Sequence, residues 1–174
     1  KNTAIGVDLH TGKTLWEKPG GGSSTPVASG EYLVAHAKDE KAGIVCYRWT
    51  DKGIEEFWKY PKVTRRSDSS PIVEGNYVFL FGADMRLCLD LKTGKVLHKE
   101  ASKHDISSPI FADGKIFAYE IKGSFLNMVK ADPNDFTELG KTKVQALRCS
   151  SPAIAGNKLL VRMADRIACY DLGQ

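Results

Sequence analysis

The sequence predicts an all-β fold of β-propeller blades, because a unit of about 40 residues repeats along the chain and consists of short strands and turns. A Ser-Pro or Thr-Pro step recurs with its prolines 45, 38 and 43 residues apart. A second series of positions keeps the same period, with spacings of 41, 41, 42 and 39 residues. The prolines are Pro26, Pro71, Pro109 and Pro152, and the second series is Asp8, Trp49, Asp90, Asp132 and Asp171. Two independent series with one period are difficult to obtain by chance.

Each Ser/Thr-Pro step predicts the start of a blade. Proline has no backbone N–H, so it suits the first residue of a strand, where no ladder hydrogen bond is required. A turn containing glycine follows each step, and an apolar run comes next, at 32–35, 77–81, 116–119 and 159–161. These runs do not alternate apolar and polar residues, which indicates strands that neighbouring blades cover on both faces.

A second turn joins the two later strands of a unit. The segments 8–13 and 90–95 both have Asp at the first position, Thr at the fourth and Gly at the fifth. The Asp and Thr side chains can bond backbone N–H groups across the turn, and Gly can adopt the positive φ that closes a hairpin. The residues are Asp8, Thr11 and Gly12 in the first segment, and Asp90, Thr93 and Gly94 in the second.

The repeat divides the chain into one incomplete unit, three complete blades and a second incomplete unit, all within a single partial propeller over 1–174. With the strands of a blade named A to D, residues 1–20 supply strands C and D. The segments 23–60, 67–100 and 105–140 form complete blades, and 150–174 supplies strands A to C. The predicted total is seventeen strands, whereas a ring of four-stranded blades needs a multiple of four. We therefore expect about four blades of a larger ring, with this chain as its C-terminal part.

Composition excludes several classes of protein. Hydrophobic residues make up 42% and charged residues 26%, which is typical of a globular domain. No run of 18 apolar residues occurs, so the sequence has no candidate transmembrane helix. The net charge of +4 is far from the clustered basic face that nucleic-acid binding requires. The one pair of adjacent arginines, Arg65 and Arg66, is a further candidate for partner contact.

The cysteines and histidines predict no metal or cofactor site. No Cys-x-x-Cys pair occurs, and the four histidines are scattered without ligand spacing. Cys46, Cys88 and Cys169 fall at or near the small-residue position of a third strand, so we expect them to be small buried hydrophobic residues. Cys149 lies beside a Ser-Ser-Pro step and is the one cysteine that we single out for a test of reactivity.

Two short segments are the candidates for partner binding. Each contains Asp and Arg at a predicted turn between strands B and C, where we expect exposed arginines on one face of the ring. Arginine is favoured at interface centres because its guanidinium presents five donors in a rigid fork. The alternative is that both arginines are solvated turn residues. The segments are Asp84-Met85-Arg86 and Ala164-Asp165-Arg166.

The hairpin segments resemble the tryptophan-docking repeat of the pyrroloquinoline-quinone-like propeller family. Residues 6–16 contain the family's small residue, Asp, Thr-Gly and Trp, ending at Trp16. Residues 88–98 match as well, except that His98 replaces the Trp, and the second unit retains Trp58 but not the Asp or the Thr-Gly. The resemblance implies an eight-bladed ring, closed by an N-terminal strand lent to the last blade, so an N-terminal half would be missing from this chain.

The same resemblance leaves three functions open. The first is a non-enzymatic scaffold for protein partners, similar to the outer-membrane barrel-assembly lipoproteins, which implies an extracytoplasmic location. The second is a fragment of a quinone-dependent dehydrogenase, although the adjacent Cys-Cys pair of those enzymes is absent here. The third is a sensor domain appended to a larger protein. Because the repeats contain no convergent catalytic set, we favour the scaffold, without a cofactor and with an enzymatic role left uncertain.

Overall fold

The computed structural model describes residues 3–37, 43–61, 69–82, 84–102 and 107–173. In these ranges the protein contains seventeen strands, arranged in five antiparallel sheets, and no helix. The predicted all-β propeller fold is therefore confirmed. Within the same ranges there is also no helix of the length and apolarity that crossing a membrane requires.

Each sheet is an antiparallel meander in which consecutive strands pair. The first sheet has two strands, the next three sheets have four each, and the fifth has three. The strands of the first two sheets are β1 (Thr3–Val7), β2 (Thr14–Pro19), β3 (Val27–Ser29), β4 (Tyr32–His36), β5 (Ile44–Thr50) and β6 (Gly53–Tyr60). Those of the third and fourth are β7 (Ile72–Glu74), β8 (Tyr77–Phe81), β9 (Met85–Asp90), β10 (Val96–Ala101), β11 (Ile110–Ala112), β12 (Lys115–Glu120), β13 (Phe125–Lys130) and β14 (Glu138–Lys143). The fifth contains β15 (Ala153–Ala155), β16 (Lys158–Arg162) and β17 (Ile167–Asp171).

The core lies between the faces of neighbouring sheets, in the second and third strands of each. At the junction of the second and third sheets, Val34 and Ile44 pack with Val78, Leu80 and Leu87, and all five are fully buried. The apolar runs lack alternation because both faces of these strands are covered. Burying one such side chain contributes about 1.5–3 kcal/mol, so each junction stabilises the sheets on both sides of it.

The Ser/Thr-Pro steps do more than begin the first strands. Each first strand starts directly after the proline, and at the first three steps the residue before the proline donates a hydrogen bond to the next sheet. The N–H of Thr25 donates to Ser70 Oγ at 2.8 Å, that of Ser70 to Ser108 Oγ at 3.0 Å, and that of Ser108 to Ser151 Oγ at 3.0 Å. We call this series the serine chain; it ties four consecutive sheets together along their first strands.

The hairpin turn of the repeat is held by one carboxylate. Asp8 Oδ1 accepts hydrogen bonds from the Thr11 N–H at 2.7 Å, the Thr11 hydroxyl at 2.7 Å and the His10 N–H at 3.1 Å. The Thr11 hydroxyl, and then its N–H, lower the pKa of Asp8 below its ordinary value. Gly12 closes the turn at a φ of +68°. Residues 90–94 repeat this arrangement, with Thr93 bonded to Asp90 in the same way.

A tryptophan links the second and third sheets. Trp58 Nε1 donates to the carbonyl oxygen of Leu91 at 2.7 Å, and the indole ring lies against Gly94. A Cβ atom on Gly94 would stand 2.7 Å from Cδ2 of Trp58, so this position has no room for a side chain. The hairpin turn of one blade is therefore also the surface on which the tryptophan of the preceding blade docks.

Candidate interaction surface

The two arginines of the predicted turns lie in different environments. Arg86 is in β9, opposite Phe81 of β8 and Glu100 of β10, and is 8% exposed. The expectation that it is an exposed turn residue is therefore wrong. The strand begins at Met85, one residue before Arg86, and the fourth sheet covers this part of it.

The two arginines also occupy different positions of the hydrogen-bond register. In the third sheet the N–H of Gly82 donates to the carbonyl of Met85, and in the fifth sheet the N–H of Met163 donates to that of Arg166. Arg166 therefore corresponds to Met85, and Ile167 corresponds to Arg86. Met85 is 4% exposed and Ile167 is 65% exposed, so burial at these positions follows the neighbouring sheet that covers them and not the register.

Arg86 is the centre of a charged cluster between the third and fourth sheets. Its Nη2 lies 3.1 Å from Glu120 Oε1, and its Nη1 lies 3.0 Å from Glu100 Oε1. Glu120 also pairs with Lys141 and accepts a hydrogen bond of 3.0 Å from Asn127 Nδ2. A buried charge is tolerated only when it is paired and hydrogen-bonded, so this cluster fixes the junction between the two sheets.

Sequence reasoning missed the other members of this cluster. Glu120 is the last residue of β12, where it directly follows the apolar run at 116–119. Its side chain is 9% exposed, and so it needs the cations that surround it. A carboxylate at the end of a buried strand is the one signal in the sequence, but it does not identify Arg86 and Lys141, which come from other strands.

Asp165 and Arg166 remain on the surface, in the turn between β16 and β17. Arg166 Nη1 lies 3.1 Å from Asp165 Oδ1, and the two side chains are 63% and 73% exposed, respectively. Asp84 lies in the corresponding turn of the third sheet, where its carbonyl oxygen accepts a hydrogen bond of 2.9 Å from the Ser102 N–H. The other two candidates, Arg65 and Arg66, fall outside the described residues.

Next to the Asp165–Arg166 turn, the last strand exposes apolar side chains. β17 pairs with β16 and has no strand on its other side among the described residues. Ile167 is 65% exposed, Tyr170 38% and Leu172 45%. Ile167 lies on the opposite face of β17 from Tyr170, because successive residues of a strand point to opposite faces. We call Asp165, Arg166 and Ile167 the β17 surface, which combines an exposed charged pair with an exposed aliphatic side chain.

The cysteines divide into two classes. Cys46 and Cys88 are fully buried, and burial raises the pKa of each thiol to about 12. Cys149 and Cys169 are exposed. The expectation of burial is therefore wrong for Cys169, which lies on β17; among the described residues this strand is hydrogen-bonded on one side only.

The described ranges contain no group of three or more His, Cys, Asp or Glu side chains arranged to hold a metal ion.

The fold has relatives among solved structures, although no family model matches the sequence and no curated protein matches it. BamB from Moraxella catarrhalis superposes with a TM-score of 0.77 at 13% identity, over 97% of this chain and 51% of BamB. A computationally designed protein, Ika8, superposes at 0.65 and 16% identity, over 99% of this chain and 56% of Ika8. A europium-containing methanol dehydrogenase superposes at 0.55 and 16% identity, over 70% of this chain and 24% of the enzyme.

The chain spans about half the length of BamB, and its likeness to these structures is a likeness of fold. The comparisons show a β-propeller fold.

Proposed function

We propose that this protein is a non-enzymatic scaffold that binds a protein partner in an extracytoplasmic envelope assembly. The β17 surface is the observation that carries the proposal. The exposed side chain of Ile167 lies beside Arg166, and arginine is enriched among the residues that dominate binding energy. The sequence resemblance to barrel-assembly lipoproteins and the fold shared with BamB support the same class of function and the extracytoplasmic location.

The frame behind this surface suits recognition. The serine chain and the Arg86 cluster tie neighbouring sheets together, so the turns between strands are held in fixed relative positions. Loops on a rigid scaffold are a common location for binding residues because they can vary while the frame stays unchanged. Arg86 itself acts in this proposal by holding the third and fourth sheets, and Arg166 acts by direct contact.

We further propose that additional blades complete the ring. The chain spans about half of BamB, and the two-stranded and three-stranded sheets at its two ends each have fewer strands than the complete blades. An N-terminal half of about four blades would complete an eight-bladed ring, as the family resemblance implies.

The test compares two exposed arginines in the longest natural form of the protein. Arg166 and Arg48 each pair with one carboxylate, at 3.1 Å to Asp165 and 3.0 Å to Glu31. A photo-crosslinker at position 164, in the exposed turn, should capture one partner from envelope extracts. Arg166→Glu should weaken the binding of this partner by at least about 2 kcal/mol, as for an interface hot spot. Arg48→Glu is the matched control and should leave binding unchanged.

Three results would contradict the scaffold at this surface. Equal effects of the two substitutions would show that the partner does not contact Arg166. A partner captured at position 48 and not at 164 would place the interface elsewhere. Dye reduction that depends on added quinone and calcium would favour the dehydrogenase instead.

A further inference from the structure

A strained turn joins the second and third strands of the fourth sheet. Ile121, Lys122 and Gly123 follow β12 with φ values of +50°, +57° and +84°, in the left-handed region. Glycine adopts this region freely, whereas a β-branched residue such as isoleucine is an outlier there. Residues held in such conformations cluster at binding and switch regions. The turn is therefore a candidate for a role beyond closing the hairpin.

The strained turn presents one apolar and one cationic side chain to solvent. Ile121 is 52% exposed, and Lys122 is exposed beside it. Among the described residues no carboxylate pairs with Lys122. An isoleucine that is half exposed gains little from burial, so packing within the protein does little to offset the strain.

The connection from β14 to β15 lies against this turn. The N–H of Ala146 donates to the carbonyl of Gly123 at 2.7 Å. A Cβ on Gly123 would stand 2.4 Å from the same Ala146 oxygen region, so the two segments are in close contact. The connection also bonds to the fifth sheet, because the N–H of Leu147 donates to the carbonyl of Arg162 at 2.7 Å. The turn and the connection are therefore held in a fixed relative position.

The connection presents a second pair of the same kind. Leu147 is 40% exposed, and Arg148 follows it on the surface. No carboxylate within the described ranges pairs with Arg148. We call Ile121, Lys122, Leu147 and Arg148 the turn–connection surface. It combines two aliphatic side chains with two cations that have no ion-pair partner in this part of the chain.

This surface does not depend on where the chain ends. The fourth sheet has all four of its strands, and the sheets on both sides of it are present among the described residues. A strand that closes the ring would add to the edge of β17. The turn–connection surface lies instead at the ends of the strands of the fourth sheet, so we expect it to stay accessible in a complete propeller.

We propose that the turn–connection surface binds an acidic segment of the protein partner. That the occupant is a protein rests on the proposed function. Carboxylates of the segment pair with Lys122 and Arg148, because unpaired surface cations favour a partner of opposite charge. An apolar side chain of the segment packs on Ile121 and Leu147. Two cations with two aliphatic neighbours suit a peptide better than a nucleic acid, whose binding rests on many phosphate contacts.

The fixed geometry supports the same proposal. Segments that are already ordered lose little conformational freedom on binding, which favours affinity. Arg166 lies in the turn between β16 and β17, at the same end of the strands as the turn between β12 and β13. One partner can therefore contact the Asp165–Arg166 turn and the turn–connection surface together.

The first measurement is a titration of the longest natural form of the protein with a synthetic peptide of alternating glutamate and leucine. Binding is followed in a spectrum of ¹³C-methyl-labelled isoleucines. The Ile121 signal should shift, and its loss in Ile121→Asn identifies it. Ile54 is buried in the second sheet and is the internal control. Absence of an Ile121 shift would overturn the inference, and so would an equal shift at Ile54.

A peptide with glutamine in place of glutamate tests the charge. It should bind about tenfold more weakly, as expected for the loss of two exposed ion pairs. Equal affinity of the two peptides would overturn the role of the cations. Vesicles containing phosphatidylglycerol and an oligothymidylate test other anionic occupants. Tighter binding of either one than of the glutamate peptide would overturn the protein segment.

Ile121→Asn separates binding from stability. Asparagine tolerates a positive φ better than isoleucine, so the variant should have a Tm about 2–4 °C higher. Its affinity for the glutamate peptide should fall about fivefold, because the apolar contact is lost. A lower Tm would contradict the strain. Unchanged affinity in a more stable variant would overturn the contact with Ile121.

The double variant Lys122→Gln/Arg148→Gln tests the natural partner. It should weaken the partner captured at position 164 about tenfold. Lys52→Gln changes an exposed lysine in the turn between β5 and β6, at the other end of the strands, and should leave binding unchanged. If Arg166→Glu weakens the partner and the double variant does not, the inference is wrong and the proposed scaffold stands. If only the double variant weakens it, the partner binds here and the β17 surface is wrong.

Discussion

Individual residues of the repeat act through the neighbouring blade as well as through their own turn. Gly12 and Gly94 occupy the same position of the hairpin and have the same φ of +68°. A Cβ on Gly12 would meet nothing within 4 Å, whereas a Cβ on Gly94 would stand 2.7 Å from Trp58. Substituting each glycine by alanine therefore distinguishes two contributions to the free energy of unfolding: the cost of a positive φ, present at both positions, and the cost of a steric clash, present only at Gly94.

We expect Gly12→Ala to lower the free energy of unfolding by about 1 kcal/mol, the cost of a positive φ in a residue with a Cβ. Gly94→Ala should lower it by clearly more, because it also displaces Trp58 and breaks its hydrogen bond to Leu91. Urea unfolding of both variants tests this. In a Trp58→Ala background the difference should disappear, and its persistence would show that the clash is not with the indole.

Buried and exposed arginines should differ in their contribution to stability. Arg86→Met leaves Glu120 buried with one cation fewer, and the loss of one partner of a buried pair costs about 3–5 kcal/mol. Arg48→Met breaks a pair with Glu31 in which both side chains are more than 40% exposed, so it should cost less than about 1 kcal/mol. Equal losses in thermal unfolding would contradict the structural role of Arg86.

The buried thiols predict a dependence of stability on pH. Burial raises the pKa of Cys46 and of Cys88 to about 12, above the ordinary thiol value. A raised pKa in the folded state gives stability that is complete below the unfolded pKa near 9 and lost as the pH rises toward 12. The free energy of unfolding, measured under reducing conditions, should therefore fall above pH 9 by about 1 kcal/mol per pH unit for each thiol.

The matched control for this pH dependence is the double variant Cys46→Ala/Cys88→Ala, which should have a flatter profile between pH 9 and 10. At higher pH, Tyr47 and Tyr119 should contribute in both proteins, because burial raises their pKa to about 12. An unchanged profile in the double variant would assign the effect to other groups.

At the scale of the strand, the hydrogen bonds of the serine chain should stabilise the junctions between neighbouring sheets. Ser108 Oγ accepts from the Ser70 N–H and donates to Ser70 Oγ, so Ser108→Ala removes two contacts between the third and fourth sheets. We expect a loss of about 1–2 kcal/mol and faster hydrogen exchange at the Ser70 amide. Ser150→Ala removes a local hydrogen bond to the Leu147 carbonyl and is the control. Unchanged exchange at Ser70 would contradict the role of the chain.

Whole strands were predictable from the sequence to a large extent. Proline before each first strand, glycine in each turn and an apolar run in each second strand are local signals, and the strands follow them. The small position paired with each docking residue was predictable from the repeat. The contact that His98 makes in place of a tryptophan was not predictable, because its packing on Phe136 joins residues 38 positions apart in different sheets.

At the scale of the molecule, exposed sheet edges should govern association. Ile5 and Val7 on β1, and Ile167 on β17, are each more than half exposed. An unpaired edge with apolar side chains favours pairing with another chain. We expect residues 1–174 alone to self-associate in sedimentation velocity, and Ile167→Lys to reduce the association. A protein that contains the remaining blades should be a compact monomer. If residues 1–174 alone form a monomer that melts cooperatively, the proposal that further blades complete the ring is contradicted.

The sequence by itself determined the repeat, the strand order and the hairpin chemistry, because these depend on residues within a few positions of one another. Only the tertiary structure decided which arginine is buried and which serine bonds to which blade. These features depend on contacts between sheets that lie far apart in the sequence. Arg86 is buried among carboxylates because the fourth sheet covers that part of β9, whereas among the described residues no sheet covers the Asp165–Arg166 turn.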